Sequence, residues 1–129
     1  MKVLVKSFLI WALWSCQPTT DTANVQAMDA LEFKEELGKH AEVLLLDIRT
    51  PQEIAQGKIA GAIELDYYQP DFEEKVNQLD RSRPVFVYCA VGGRSQSALP
   101  ILQKAGFKEI YHLSSGIQGW VLGGYPLQK

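Results

Sequence analysis

The heptapeptide "CAVGGRS", residues 89–95, is where this sequence could do chemistry. Cys89 follows the apolar run "PVFVY" and precedes "QSALPILQKAGF", which reads as a helix. After the sulfur come Ala90, Val91, Gly92, Gly93, Arg94 and Ser95. Gly92 and Gly93 permit positive φ and close approach of other atoms. A tight turn there can aim successive amide N–H groups at one point, a nest for an anion. A helix starting near Arg94 leaves further unpaired N–H groups pointing the same way. Arg94 adds a permanent positive charge, and Ser95 a hydroxyl at the expected helix cap. The anion such a loop would hold is the thiolate of Cys89.

Only the thiolate is a nucleophile, and a free thiol has a pKa of about 8.5. Lowering that value by ~2 units takes ~2.7 kcal/mol of selective stabilisation of the anion. A helix terminus supplies ~0.3–1 kcal/mol, at most ~2. Each hydrogen bond to a charged acceptor is worth ~1.5–3 kcal/mol. An amide nest therefore outweighs the dipole, and no histidine base is required. Four residues, Ala90 to Gly93, separate the cysteine from the arginine. Cysteine-dependent phosphatases carry one more, which makes a loop wide enough for a tetrahedral phosphate. The shorter loop suits a single sulfur atom carried on Cys89.

The elements that must position this loop alternate along the chain. Strands are expected at 25–28, 42–49, 62–67, 83–90 and 109–114. Helices are expected between them. The first, over 29–40, has Asp29 as cap with Glu32 at capping-box spacing, a buried side of Ala30, Leu31, Phe33 and Leu37, and Gly38 to close it. A second runs over 50–57, capped by Thr50 with Pro51 at the first helical position and Gly57 at its end. Others lie over 71–79 and 94–106, the latter with Pro100 expected to kink it, and a short one closes the chain over 116–124. The continuous apolar run "EVLLLDIR" is that of a strand covered on both faces. Such alternation implies an α/β domain with a mainly parallel, five-stranded sheet flanked by helices on both faces. Sites in such sheets form at the carboxyl ends of strands, and Cys89 sits at one.

The length of 129 residues and the 47% hydrophobic composition suit one globular domain. A formal charge of −2 offers no basic surface for nucleic acid. No cysteine–histidine cluster suggests a metal site, and nothing calls for a cofactor. Nothing demands more than a monomer. Asp47 and Arg49 end a strand near the expected site and read as support: Asp47 capping loop amides, Arg49 pairing with Glu53 or another carboxylate. Lys58 reads either as a cation drawing in an anionic donor or as a solvated lysine. His40 and His112 read as structural, and Trp120 as core.

"YCAVGGRS" resembles the active-site loop of the rhodanese family of sulfurtransferases, in its single-domain form. "LLLDIRTPQEIAQGKIAGAIELDY" is similar to that family's early signature, and "GFKEIYHLSSGIQGW" to its closing stretch. Lys58, Ala60 and Ser115 depart from the residues common there. The resemblance covers nearly all of 24–127 and implies a rhodanese-like fold and double-displacement chemistry. Cys89 would take the outer sulfur of a donor such as thiosulfate, forming a persulfide. Cyanide or a thiol would then accept it. The amides from Ala90 to Ser95 would hold the persulfide's terminal sulfur. A binding module that keeps the fold without the reaction, and a phosphatase or arsenate reductase, are the competing readings.

The N-terminus carries an address. "MKVLVKSFLIWALWSC" places Lys2 and Lys6 before the apolar stretch Phe8 to Trp14, the layout of a secretory signal peptide. "LWSC" resembles the lipobox of bacterial lipoproteins, which implies a signal over 1–15 and acylation of Cys16. An ordinary signal cut after Ala27 is the alternative. Residues 16–23 then read as a polar tether and 24–129 as the domain, lipid-anchored in the cell envelope, on the periplasmic or outer surface. Loss of 1–15 removes two lysines and leaves a charge of about −4. In an oxidising compartment Cys89 would lack an intramolecular partner, and such a cysteine is either buried and inert or kept for its chemistry.

Overall fold

In the computed structural model, residues 22–129 are described. The signal expected over 1–15 and the expected acylation site Cys16 lie outside them. Five strands, β1 (Asn24–Met28), β2 (Leu44–Asp47), β3 (Ile63–Glu64), β4 (Val85–Tyr88) and β5 (Glu109–Leu113), form one sheet in the order β1-β5-β4-β2-β3. Every pairing is parallel. The helices are α1 (Ala30–Lys39), α2 (Pro51–Ile54), α3 (Phe72–Asn77), α4 (Gly93–Lys104) and α5 (Gly116–Leu122). The fold is the expected rhodanese-like α/β architecture.

β4 runs between β2 and β5, with Val87 opposite Leu46 on one side and His112 on the other. A central strand has helices over both faces, so all four of its residues are buried. Side chains alternate between faces. Leu44, Leu46, Val85, Val87 and Cys89 pack with Phe72, Val76, Ala98 and Leu102 from α3 and α4. Leu45, Phe86, Tyr88, Tyr111 and Leu113 pack with Phe33 and Trp120 from α1 and α5. Cys89 thus continues the α4-facing row of β4. Its sulfur lies under the helix that follows it.

Several local expectations shift. Leu31 is 52% exposed rather than buried; Ala30 and Phe33 carry that side of α1. The Asp29–Glu32 capping box is formed, but α1 runs through Gly38 and ends at His40. The third strand shrinks to Ile63–Glu64, an edge paired only to β2, after which Leu65 and Tyr67 donate to Asp47 and Ile48 as irregular chain. The Thr50 capping box of α2 is present, yet the helix stops at Ile54, before Gly57. α4 continues across Pro100 to Lys104. Among the described residues, no helix is long and apolar enough to cross a membrane.

Candidate active site

Between β4 and α4 the chain turns around the Cys89 sulfur. Gly92 is the N-cap of α4 at φ 100°. That conformation favours glycine, and a Cβ there would also collide with the Ser114 carbonyl at the end of β5. The turn aims two amides inward: Gly92 N–H donates to Sγ over 3.2 Å and Ser95 N–H over 3.4 Å. Gly93 needs no such freedom. It is the first residue of α4, and a Cβ on it would meet nothing within 4 Å. Ser95 is buried inside the first turn rather than at the cap.

The Ser95 hydroxyl lies 3.5 Å from Sγ and 3.2 Å from the Gly92 carbonyl oxygen. It has one hydrogen, so it donates to only one of the two at a time. With a thiol, S–H can donate to Oγ while O–H donates to Gly92. With a thiolate, the hydroxyl turns its hydrogen to the sulfur. The side chain thus adapts to either protonation state without backbone movement.

Burial is the strongest influence on the Cys89 thiol and pushes its pKa up. The Ser95 hydroxyl and the amides of Ser95, Gly92 and Val91 together outweigh it, and the net displacement is downward. Cys89 is a free cysteine, 1% exposed. Val91, beside it on the loop, is 63% exposed. The sulfur therefore sits at the floor of the turn and the loop residues form its rim.

What holds the turn in shape comes partly from α5. Ile117 N–H donates to the Cys89 carbonyl (2.9 Å) and Gln118 N–H to the Ala90 carbonyl (3.1 Å). These bonds fix the first two peptides of the loop against α5, and the amide of Val91, on the second of them, acts on the sulfur. Gly116, at φ 63°, lies so close to the Ala90 carbonyl that any side chain would collide with it. Sequence reasoning read 116–124 only as a closing helix and missed this role. The Gly-Ile-Gln-Gly run was the available signal.

Arg94 does not stand as a free cation. Its guanidinium grips Glu53 in two bonds, 2.8 and 2.7 Å, and lies 5.4 Å from the Tyr68 ring centre. Glu53 also accepts from the Thr50 amide and hydroxyl. Arg94, helped by Thr50 and opposed by burial, holds the Glu53 carboxyl down at about 2. Glu53 in turn raises the Arg94 pKa. Glu53 is thus the side-chain partner of Arg94, and of the two carboxylate options read for Arg49 the structure takes the other.

Arg49 pairs instead with Asp47, at 2.6 Å, and donates to the Gly57 carbonyl. Asp47 caps the Arg49 amide just beyond β2 and accepts from the Tyr88 hydroxyl (2.7 Å). Tyr88 also accepts from Ile59 N–H, and burial displaces its pKa upward. Asp47, Arg49 and Tyr88 form a buried bracket tying the ends of β2 and β4 to the chain around Ile59. Sequence reasoning gave Tyr88 no role, although it is the residue next to Cys89. Lys58 pairs with Glu64 (2.8 Å) and donates to the Ala62 carbonyl. His112 is buried, which lowers its pKa. Trp120 is core, with its indole N–H on the Pro126 carbonyl.

A parallel sheet carrying a cysteine-to-arginine loop at the carboxyl end of its central strand defines a rhodanese-type domain. Residues 29–122 match the family described as Rhodanese-like domain, and the chain belongs to that family. A protein named Sulfurtransferase from Allochromatium vinosum is 34% identical over 103 residues, spanning 80% of this chain and 94% of its own. The Thiosulfate sulfurtransferase GlpE of Stutzerimonas stutzeri is 37% identical over 83 residues, 64% of this chain and 73% of its own. Among solved structures, a rhodanese-related protein from Thermoplasma volcanium superposes with a TM-score of 0.69 at 30% identity, covering 80% of this chain and 97% of its own.

Proposed function

We propose that this protein is a sulfurtransferase that carries a sulfane sulfur on Cys89. The observation that supports it most is the convergence of the Gly92 and Ser95 amides and the Ser95 hydroxyl on one sulfur. In the first step the Cys89 thiolate attacks the outer sulfur of a donor such as thiosulfate. A Cys89–S bond forms, the donor's S–S bond breaks, and its electron pair leaves with sulfite. The product is a persulfide anion whose terminal sulfur takes up the loop's hydrogen-bond donors. An acceptor, cyanide or a thiol, then attacks that sulfur and regenerates the thiolate. This is nucleophilic catalysis in two steps, with donors preorganised for the charge.

The tightness of the turn supports sulfur transfer over phosphate chemistry. Three donors converge on the sulfur itself, and the four-residue spacing from Cys89 to Arg94 favours a cradle sized for one terminal sulfur atom over one sized for a bound phosphate. The expected kinetics are ping-pong, with thiocyanate formed from thiosulfate and cyanide by the wild type and not by Cys89→Ser. Cysteine-dependent hydrolysis of an aryl phosphate without thiocyanate formation would overturn the reading.

The sequence before the domain supports an envelope location, with Cys16 acylated after removal of 1–15. Intact-mass measurement of the mature protein from its native envelope tests this. A first residue other than an acylated Cys16 would contradict it.

A further inference from the structure

The charges around the loop cancel in pairs. Arg94 is the single cationic residue of the segment 89–95, and each of its two terminal nitrogens donates to a carboxylate oxygen of Glu53. Glu53 is itself fixed by Thr50 through the α2 capping box, so the pair is clamped from both ends. The neighbouring cations are neutralised in the same way: Arg49 by Asp47 and Lys58 by Glu64. A donor reaching Cys89 thus meets hydrogen-bond donors but no uncompensated cation among these residues. Local amides can stabilise one negative charge on a terminal sulfur. A second charge, at the far end of a dianion, would face the Glu53–Arg94 pair, where attraction and repulsion offset each other.

We propose that Glu53 is a specificity-determining residue: by neutralising Arg94 it makes the site favour sulfane donors of low charge over dianions. Glu53 acts through Arg94 and is a positioning residue. The inference rests on the sulfur-transfer reading above and names the donor class for that same site.

Two probes share their chemistry and differ in charge. Thiosulfate is a dianion that releases sulfite; methanethiosulfonate is a monoanion that releases methanesulfinate. In both, Cys89 gains the outer sulfur and the S–S bond pair leaves with the oxidised fragment. The full chain and its Glu53→Gln variant are compared by kcat/KM for each donor, with cyanide as acceptor, across ionic strength. Freeing Arg94 is expected to raise thiosulfate relative to methanethiosulfonate by about fivefold, and to make the thiosulfate rate fall steeply with salt. The wild-type thiosulfate rate is expected to change little with salt, a measurement that needs no variant. A donor ratio unchanged in a folded Glu53→Gln, or a steep salt dependence in the wild type, would overturn the inference while leaving sulfur transfer intact. If neither donor yields thiocyanate, the sulfur-transfer reading fails, and this inference with it.

Discussion

Ser95 is the residue on which the chemistry of Cys89 turns most finely. Its hydroxyl accepts from a thiol or donates to a thiolate, and its amide donates to the same sulfur. Removing the hydroxyl takes away one of the groups that lower the thiol's pKa and leaves burial, which raises it, less opposed. The wild-type rate should rise with pH through a midpoint below that of an unperturbed thiol. In Ser95→Ala the thiolate fraction should become appreciable only at higher pH. The pH profile of kcat/KM, or of alkylation by iodoacetamide, checks this; a profile that stays in place would remove the hydroxyl's role. Cys89, Gly92, Arg94 and Ser95 were legible in the sequence because they share one loop. The grip of Glu53 on Arg94 and of Tyr88 on Asp47 was not. Each spans 41 residues, and only the parallel pairing of β2 with β4 brings the partners together.

At the scale of elements, the loop is a junction of β4, α4 and α5. Its shape depends on positive φ at Gly92 but not at Gly93, two adjacent glycines that look equivalent in sequence. Gly92→Ala should destabilise the fold by more than ~1 kcal/mol and abolish activity, since the backbone conformation and the Ser114 carbonyl both exclude a side chain. Gly93→Ala, in helical conformation with open space around it, should be neutral or stabilise by ~0.4–1 kcal/mol. Urea unfolding of the two variants distinguishes them, and equal losses would contradict this account of the turn. Strand positions were readable because buried parallel strands are continuous apolar runs. Their lengths were not: the chain around "AIELDY" is β-like, but with a neighbour on one side only it pairs for two residues. The clamp of α5 on the Cys89 and Ala90 carbonyls left no mark in hydrophobic periodicity, because backbone donors carry no side-chain signature.

For the whole molecule, paired charges link acid stability to the site. The Glu53 carboxyl is held at about 2 against an ordinary value of 4.5. A group with a depressed folded pKa stabilises the fold above its unfolded pKa and loses that contribution as pH falls through the folded value. Wild-type stability should therefore decline between about 4.5 and about 2 by more than that of Glu53→Gln. Denaturant titrations at fixed pH steps measure the difference, and parallel curves would show the pair to be energetically silent. The order β1-β5-β4-β2-β3 places β4, the strand that leads into Cys89, at the centre. Helices cover both faces, and the Asp47–Arg49–Tyr88 bracket ties β4 to β2 at the same end. The site is thus built on the most buried part of the fold.

Intact-mass analysis of the full chain after exposure to thiosulfate tests the central claim most directly. The wild type should gain one sulfur atom, removable by cyanide, and Cys89→Ser should gain none. A wild-type mass unchanged by both thiosulfate and methanethiosulfonate, with the fold intact, would contradict a sulfur carried on Cys89.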